Sequence, residues 1–258
     1  MKQIVSLSGG KDSTAMLLMM LDRGEDVHSA VYFDTGEFEF PQMVEHINRL
    51  ERDIAPVPLV RVRDKFSLLE HMLKKKIKSR TTGELYHGLG WPSQLNRWCT
   101  TFKTFTIDKY RKTLGDEEDL VQLIGYAADE LKRTDSPNLE RTVRNARFPL
   151  VEYGVTEADA LKYCFDRGYT WDGLYKYFHR VSCFCCPLQR VGNLRKLRKN
   201  FPDLWNTMLG WEDQIEDNGR SNKIFHGGLS VHELDEIFMY RDWPVMKPRP
   251  IPNKKRDK

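Results

Sequence analysis

The 258-residue chain has no apolar run near the ~18–20 residues that a membrane-spanning helix needs. Its start lacks the succession of basic, apolar and small cleavage-site residues that marks a secretory leader, so the expectation is a cytoplasmic protein with no membrane contact. Charge of one sign is not in excess. The 41 Lys and Arg against 37 Asp and Glu leave +4, which by itself implies no nucleic-acid partner. Cysteine is scarce: five residues, at 99, 164, 183, 185 and 186. An odd number in a reducing compartment argues against a disulfide framework. There is no internal repeat, and no low-complexity stretch besides the basic end. Two familiar phosphate motifs are also missing, the G-x-x-x-x-G-K-[ST] loop and the dinucleotide G-x-G-x-x-G.

The composition is that of a globular protein, 40% apolar with mixed charge. Through residue 150 the pattern alternates between strand and helix. Strands are predicted at Gln3–Leu7, Val27–Phe33, Pro58–Val62 and Leu120–Tyr126. Helices are predicted at the apolar run Ala15–Leu21, then at Gln42–Arg52, Phe66–Ile77 and Thr101–Leu114, with a long loop over 79–98. Such a succession implies an α/β fold, a parallel twisted sheet with helices on both faces, whose ligands sit beyond the carboxyl ends of the strands. Residues 151–245 read as a mostly helical lobe, with helices at Thr156–Arg167, Trp171–Phe178, Gly192–Asn200, Leu204–Asp217 and Ser230–Tyr240. Pro244, Pro248, Pro250 and Pro252 lead into a basic, disordered tail over 246–258.

Between the first strand and the first helix stand Ser8, Gly9, Gly10, Lys11, Asp12 and Ser13. A glycine pair lets the backbone turn sharply and bring its N–H groups close to an anion, and the following helix N-terminus adds unpaired donors and partial positive charge. Ser8 and Ser13 offer hydroxyls, Lys11 a mobile cation, and Asp12 a magnesium or ribose contact. The plainer reading is a glycine turn that only joins strand to helix. After the second strand come Asp34, Thr35 and Gly36, an acidic turn that can face a nucleotide bound at the first loop; taken alone it reads as an Asx turn.

The loop resembles the S-G-G-x-D-S pyrophosphate loop of the N-type ATP pyrophosphatases, a superfamily that includes GMP and NAD synthetases, tRNA thiolation enzymes and sulfonucleotide (PAPS/APS) reductases. Asp34, Thr35, Gly36 and Pro41 resemble the D-T-G-x-x-x-P element of the sulfonucleotide reductase relatives. Cys99, Thr100 and Lys103 are similar to their C-T-x-x-x-K segment. Gly125, Glu130 and Arg133 resemble their G-x-R-x-x-E-S-x-R region, although Tyr126 stands where an arginine is common. Phe148–Glu152 resembles the P-L-x-x-W element, and Cys183, Cys186 and Pro187 follow in order. The resemblance covers about residues 3–190 and implies an adenine nucleotide α-hydrolase fold binding ATP, or PAPS or APS. Magnesium is an implied cofactor, and Gly125 and Arg133 join the nucleotide site.

Cys183 and Cys186 form C-x-x-C-P, a spacing that lets two thiolates reach one ion, with Cys99 and Cys185 as further ligands. Thiolate-only sites suit a [4Fe–4S] cluster or zinc, and spacing does not separate the two. A third reading makes Cys99 or Cys185 a persulfide carrier resolved by another cysteine. Cys164, between Tyr163 and Phe165, reads as core. His87 and His179 carry no catalytic assignment, and Trp91 and Trp98 read as packing. The basic runs Lys74–Arg80 and Arg190–Lys199 read as solvated faces, the second also as a surface for a nucleic-acid backbone.

Two chemistries follow from the resemblance. In one, ATP adenylylates an acceptor (nucleic acid or small molecule) and sulfur, delivered from a donor protein, displaces AMP. In the other, a cysteine attacks the sulfur of PAPS or APS and sulfite forms. No cysteine follows Cys186 in this sequence, and Cys99 stands alone before Cys183, so each reductase scheme lacks an expected part; the ATP-dependent reading is preferred. A reading of another class is a nucleotide-binding regulator with a structural metal site and no turnover.

Overall fold

The structure, a computed structural model, describes residues 1–79, 81–133, 145–215 and 222–240, the side chains of 131–133 excepted. The basic tail 246–258 and Arg80 lie outside the described residues, as does the Arg133 side chain.

Five parallel strands form the central sheet: β1 (Lys2–Leu7), β2 (Ser29–Phe33), β3 (Leu59–Val62), β6 (Leu120–Leu123) and β7 (Ala146–Arg147), in the spatial order β3-β2-β1-β6-β7. β1 is central, with Ile4 opposite Ser29 on one side and Gln122 on the other. All five residues of β2 are buried, which explains its continuous apolar reading without alternation. The chain winds outward from β1 to β3 and then returns to the far side of β1. Right-handed crossovers therefore place the helices of the two halves on opposite faces. The reversal falls between β1 and β6.

Helix α1 (Lys11–Asp22) is buried along most of its length, because it lies between the sheet and α6 (Glu157–Asp166). An all-round apolar run such as Ala15–Leu21 suits that position. α2 (Pro41–Asp53) is amphipathic, burying Met43, His46, Ile47 and Leu50. The remaining helices are α3 (Leu68–Leu73), α4 (Trp98–Arg111), α5 (Pro149–Glu152), α7 (Leu174–Tyr177), α8 (Val191–Asn200), α9 (Pro202–Gln214) and α10 (Val231–Met239). Buried residues from both halves of the chain join one hydrophobic core.

Three elements differ from the sequence reading. The helix expected over Phe66–Ile77 is only Leu68–Leu73, opened by a Ser67–Glu70 capping box. Beyond it the basic run has no apolar stripe to hold a helix on the core, and it pairs as β4 (Lys76–Lys78) with β5 (Leu85–His87) in an antiparallel hairpin. The helix expected from Thr101 starts at Trp98, which puts Cys99 in its first turn. The helix expected over Trp171–Phe178 splits into a 3-10 turn (Trp171–Gly173) and α7, because Trp171, Asp172 and Gly173 all have positive φ. Among the described residues no helix is long and apolar enough to cross a membrane.

Candidate active site

The loop Ser8–Lys11 leaves β1 at the reversal point, where crevices form beyond the strand ends. Gly9 has φ +78, and a Cβ there would meet Met43 Sδ at 2.7 Å. Gly10 is the N-cap of α1. Gly125, just past β6, lies against the first turn of α1: a Cβ would stand 2.9 Å from Ser13 N. Gly125 thus serves the loop by letting the next strand's backbone approach it.

The hydroxyls brace the loop from within. Ser8 N–H donates to Ser13 Oγ at 3.2 Å, Ser13 Oγ donates to the Gly10 carbonyl at 3.2 Å, and the two serine oxygens lie 3.0 Å apart. Thr14 Oγ1 is 3.0 Å from His46 Nε2. His46 is buried and stacks on Trp171 at 4.5 Å, and burial pulls its pKa down to about 3, so its ring stays neutral. The Trp171 indole N–H donates to the Gly9 carbonyl at 2.8 Å. The backbone N–H groups of Asp12 and Ser13 have no acceptor among the described residues, as is usual for the first turn of a helix.

Lys11 is not a mobile cation here. Its side chain is 4% exposed and its Nζ lies 2.7 Å from Asp12 Oδ1 and 3.3 Å from Glu157 Oε2. Burial among carboxylates is the physical reason: Asp12, Glu130 and Glu157 offer oxygens all within 4.8 Å of one another. Burial raises the Asp12 pKa first, Lys11 opposes it, and Arg180 closes the group from outside with 2.9 Å to Glu130. The trio has the hard oxygen donors that magnesium takes. Glu157 carries no signal in the sequence. It sits in the first turn of α6 beside the Thr156–Asp159 capping box and reads as an ordinary first-turn acid.

Asp34 does form the Asx turn, its Oδ1 accepting from Gly36 N–H at 2.8 Å, while Oδ2 accepts from Arg63 at 2.5 and 2.9 Å. Thr35 donates to Glu39, whose pKa burial pushes up to about 7. Asp34, Thr35 and Gly36 line a cleft of about 480 Å³ beyond β2 and β3, with Arg63 and Phe66 opposite. Tyr126 stacks on Phe148 at 5.7 Å, which binds it into the fold.

The cysteines gather from two places. Cys99 is in the first turn of α4, where helix amides favour a thiolate. Cys183, Cys185 and Cys186 lie on a tight turn that Phe184, 1% exposed, pins into the core against Phe40 and Trp211. The Phe184 N–H donates to the Phe38 carbonyl at 3.1 Å, tying this turn to the one that follows Asp34. Burial raises all four thiol pKa values, and neighbouring sulfurs raise those of Cys183, Cys185 and Cys186 further, with Lys103 opposing at Cys99 and Cys183 and Arg97 at Cys186. Cys99, Cys183 and Cys186 are partly exposed, whereas Cys185 is 2% exposed in the core. Cys164 is fully buried, as read from its neighbours. Trp91, with its N–H on Glu212, and Trp98 pack in the core. His179 is exposed near Glu157.

Residues 2–189 match the family model of the phosphoadenosine phosphosulfate reductase domain. Two uncharacterized proteins of Methanocaldococcus jannaschii are similar: MJ0066 is 24% identical over 237 residues (88% of this chain, 44% of that protein), and MJ0973 is 24% identical over 242 (89% and 51%). The chain spans about half the length of these curated relatives. Among solved structures, the U34-tRNA thiolase NcsA from Methanococcus maripaludis with its [4Fe-4S] cluster is 15% identical, covering 92% of this chain and 80% of that one at a TM-score of 0.40.

Proposed function

Because the chain belongs to the phosphoadenosine phosphosulfate reductase domain family, we propose that it is an ATP pyrophosphatase that adenylylates an acceptor and transfers sulfur to it. The observation that supports this reading is the hydrogen bond from Phe184 to Phe38, which ties the cysteine turn to the Gly36–Phe38 turn, whose Gly36 and Glu37 line the cleft. Adenosine occupies the cleft beside Asp34, and the pyrophosphate lies on the loop over the free amides of Asp12 and Ser13. An acceptor oxygen, on a nucleic acid or a small molecule, attacks the α-phosphorus; the α–β bridge breaks and pyrophosphate leaves. The preorganised amides stabilise the departing charge. Sulfide from a donor protein then attacks the carbon that bears the adenylyl group, the carbon–oxygen bond breaks, and AMP departs.

Four clustered thiols whose pKa values burial raises suit a group that brings positive charge, since thiolates there are otherwise poorly compensated. A zinc ion with bonds of about 2.3 Å holds its sulfurs under ~4 Å apart. Among the described residues only the Asp12 group brings three donors within 4.8 Å, so the wider-set thiols favour a [4Fe–4S] cluster. Cys99, Cys183 and Cys186 would hold it, with buried Cys185 behind them, and it would supply thiophilic iron beside the cleft. Magnesium would bind at Asp12, with Glu130 and Glu157.

The test is release of AMP and pyrophosphate from magnesium ATP, one for each thiolated acceptor. Sulfite formed from PAPS or APS with a thiol donor would make the protein a reductase. ATP binding without pyrophosphate release, across candidate acceptors and sulfide, would make it a regulator.

A further inference from the structure

Lys11 supplies the first N–H of α1, a natural donor to the bound anion, yet this group is occupied: it donates to the Tyr175 hydroxyl at 2.7 Å. Tyr175 belongs to α7, more than 160 residues away in the chain. It is held there by an uncommon backbone. Trp171, Asp172 and Gly173 follow one another with φ of 48, 45 and 82. Positive φ at a bulky residue such as Trp171 is a true outlier, stable only where packing fixes it. Here the packing is the His46 stack, the bond from the indole to Gly9, and an edge contact at 4.8 Å between the Trp171 and Tyr175 rings.

A phenol that accepts one N–H still has its own O–H to give. The Tyr175 oxygen also lies 3.5 Å from where a Cβ on Gly10 would stand, beside the glycine pair. Burial keeps the phenol protonated by raising its pKa. We propose that Tyr175 is a phosphate ligand contributed by the helical half of the chain: it receives the Lys11 N–H and passes its own O–H to a pyrophosphoryl oxygen. A hydrogen bond polarised by a second one in series is strengthened. This inference rests on the reading of the loop as a pyrophosphate site, and it explains why α1 opens with one amide already engaged.

The test is Tyr175→Phe, which keeps the ring on Trp171 and removes only the oxygen. Calorimetric titrations with inorganic pyrophosphate, magnesium ATP and AMP compare it with the wild type, and thermal melting of the ligand-free proteins checks the fold. The expected result is about tenfold weaker binding of pyrophosphate and ATP, AMP within twofold, and a single cooperative melting transition that shows the fold is kept. Tighter pyrophosphate binding by the variant would make the hydroxyl a plug over the Lys11 amide and overturn the proposal. Unchanged binding, or an equal loss for all three ligands, would overturn it as well. If the wild type itself binds neither ATP nor pyrophosphate, the reading of the loop fails before the variant is measured.

Discussion

The glycine loop after β1 and the cysteine turn tied to the segment after β2 both lie beyond the carboxyl ends of strands and are built on opposite principles. The loop is contiguous in sequence and is braced on all sides: serine hydroxyls, the Trp171 indole and the Tyr175 phenol satisfy its backbone, and two amides have no acceptor among the described residues. Its lysine is neutralised by carboxylates within the fold. The pocket is assembled from segments more than eighty residues apart and is electrostatically unfinished, with four thiols raised by burial and Cys183, Cys185 and Cys186 raised further by neighbouring sulfurs.

The sharpest way to break this contrast is at the pocket. Cys183→Ser or Cys186→Ser should abolish iron and sulfide binding after anaerobic reconstitution, while Cys164→Ser should leave it intact; absorption spectra and metal analysis read the result. Zinc without iron in the wild type would reduce the pocket to scaffolding. Next come the close approaches of the loop. Gly125→Ala would push a methyl to 2.9 Å from Ser13 N, and Gly9→Ala would add a left-handed alanine against Met43. Each should cost about 1–3 kcal/mol in chemical denaturation and weaken ATP binding with it.

Acid should reveal the neutral histidine behind the loop. The folded-state pKa of His46 lies at about 3, below the 6.5 of the unfolded chain, so between these values the unfolded state takes up the proton first. Its contribution to stability is present above pH 6.5 and is lost as pH falls, by roughly 2–3 kcal/mol at pH 4.5. His46→Gln should flatten that part of the profile in denaturation series at the two pH values. The smallest effect is expected from Trp171→Phe, which leaves the Gly9 carbonyl without its indole donor. About 1–2 kcal/mol should be lost, read from the unfolding midpoint.

The parallel sheet was legible because its strands are short apolar runs separated by helical patterns, and the tight turn after β1 because a glycine pair stands between strand and helix. Where local pattern and tertiary contact disagreed, tertiary contact won. The stretch from Lys74 looks helical until its lack of an apolar stripe lets the β4–β5 hairpin form. Lys11 reads as a free cation because Glu157, which helps to hold it, comes from a helix that starts 146 residues later and shows only capping residues. Trp171 and Tyr175 read as one more helical turn; nothing in their order announces three successive left-handed residues.

By itself the sequence determined the strand order's raw material, the glycine turn and the presence of clustered thiols, since hydrophobic period and residue type act over a few neighbours. Only the folded chain decided which carboxylates surround Lys11, which phenol covers its amide and how far Cys185 is withdrawn from its neighbours. Those are matters of burial, and burial depends on what distant segments bring to the same place.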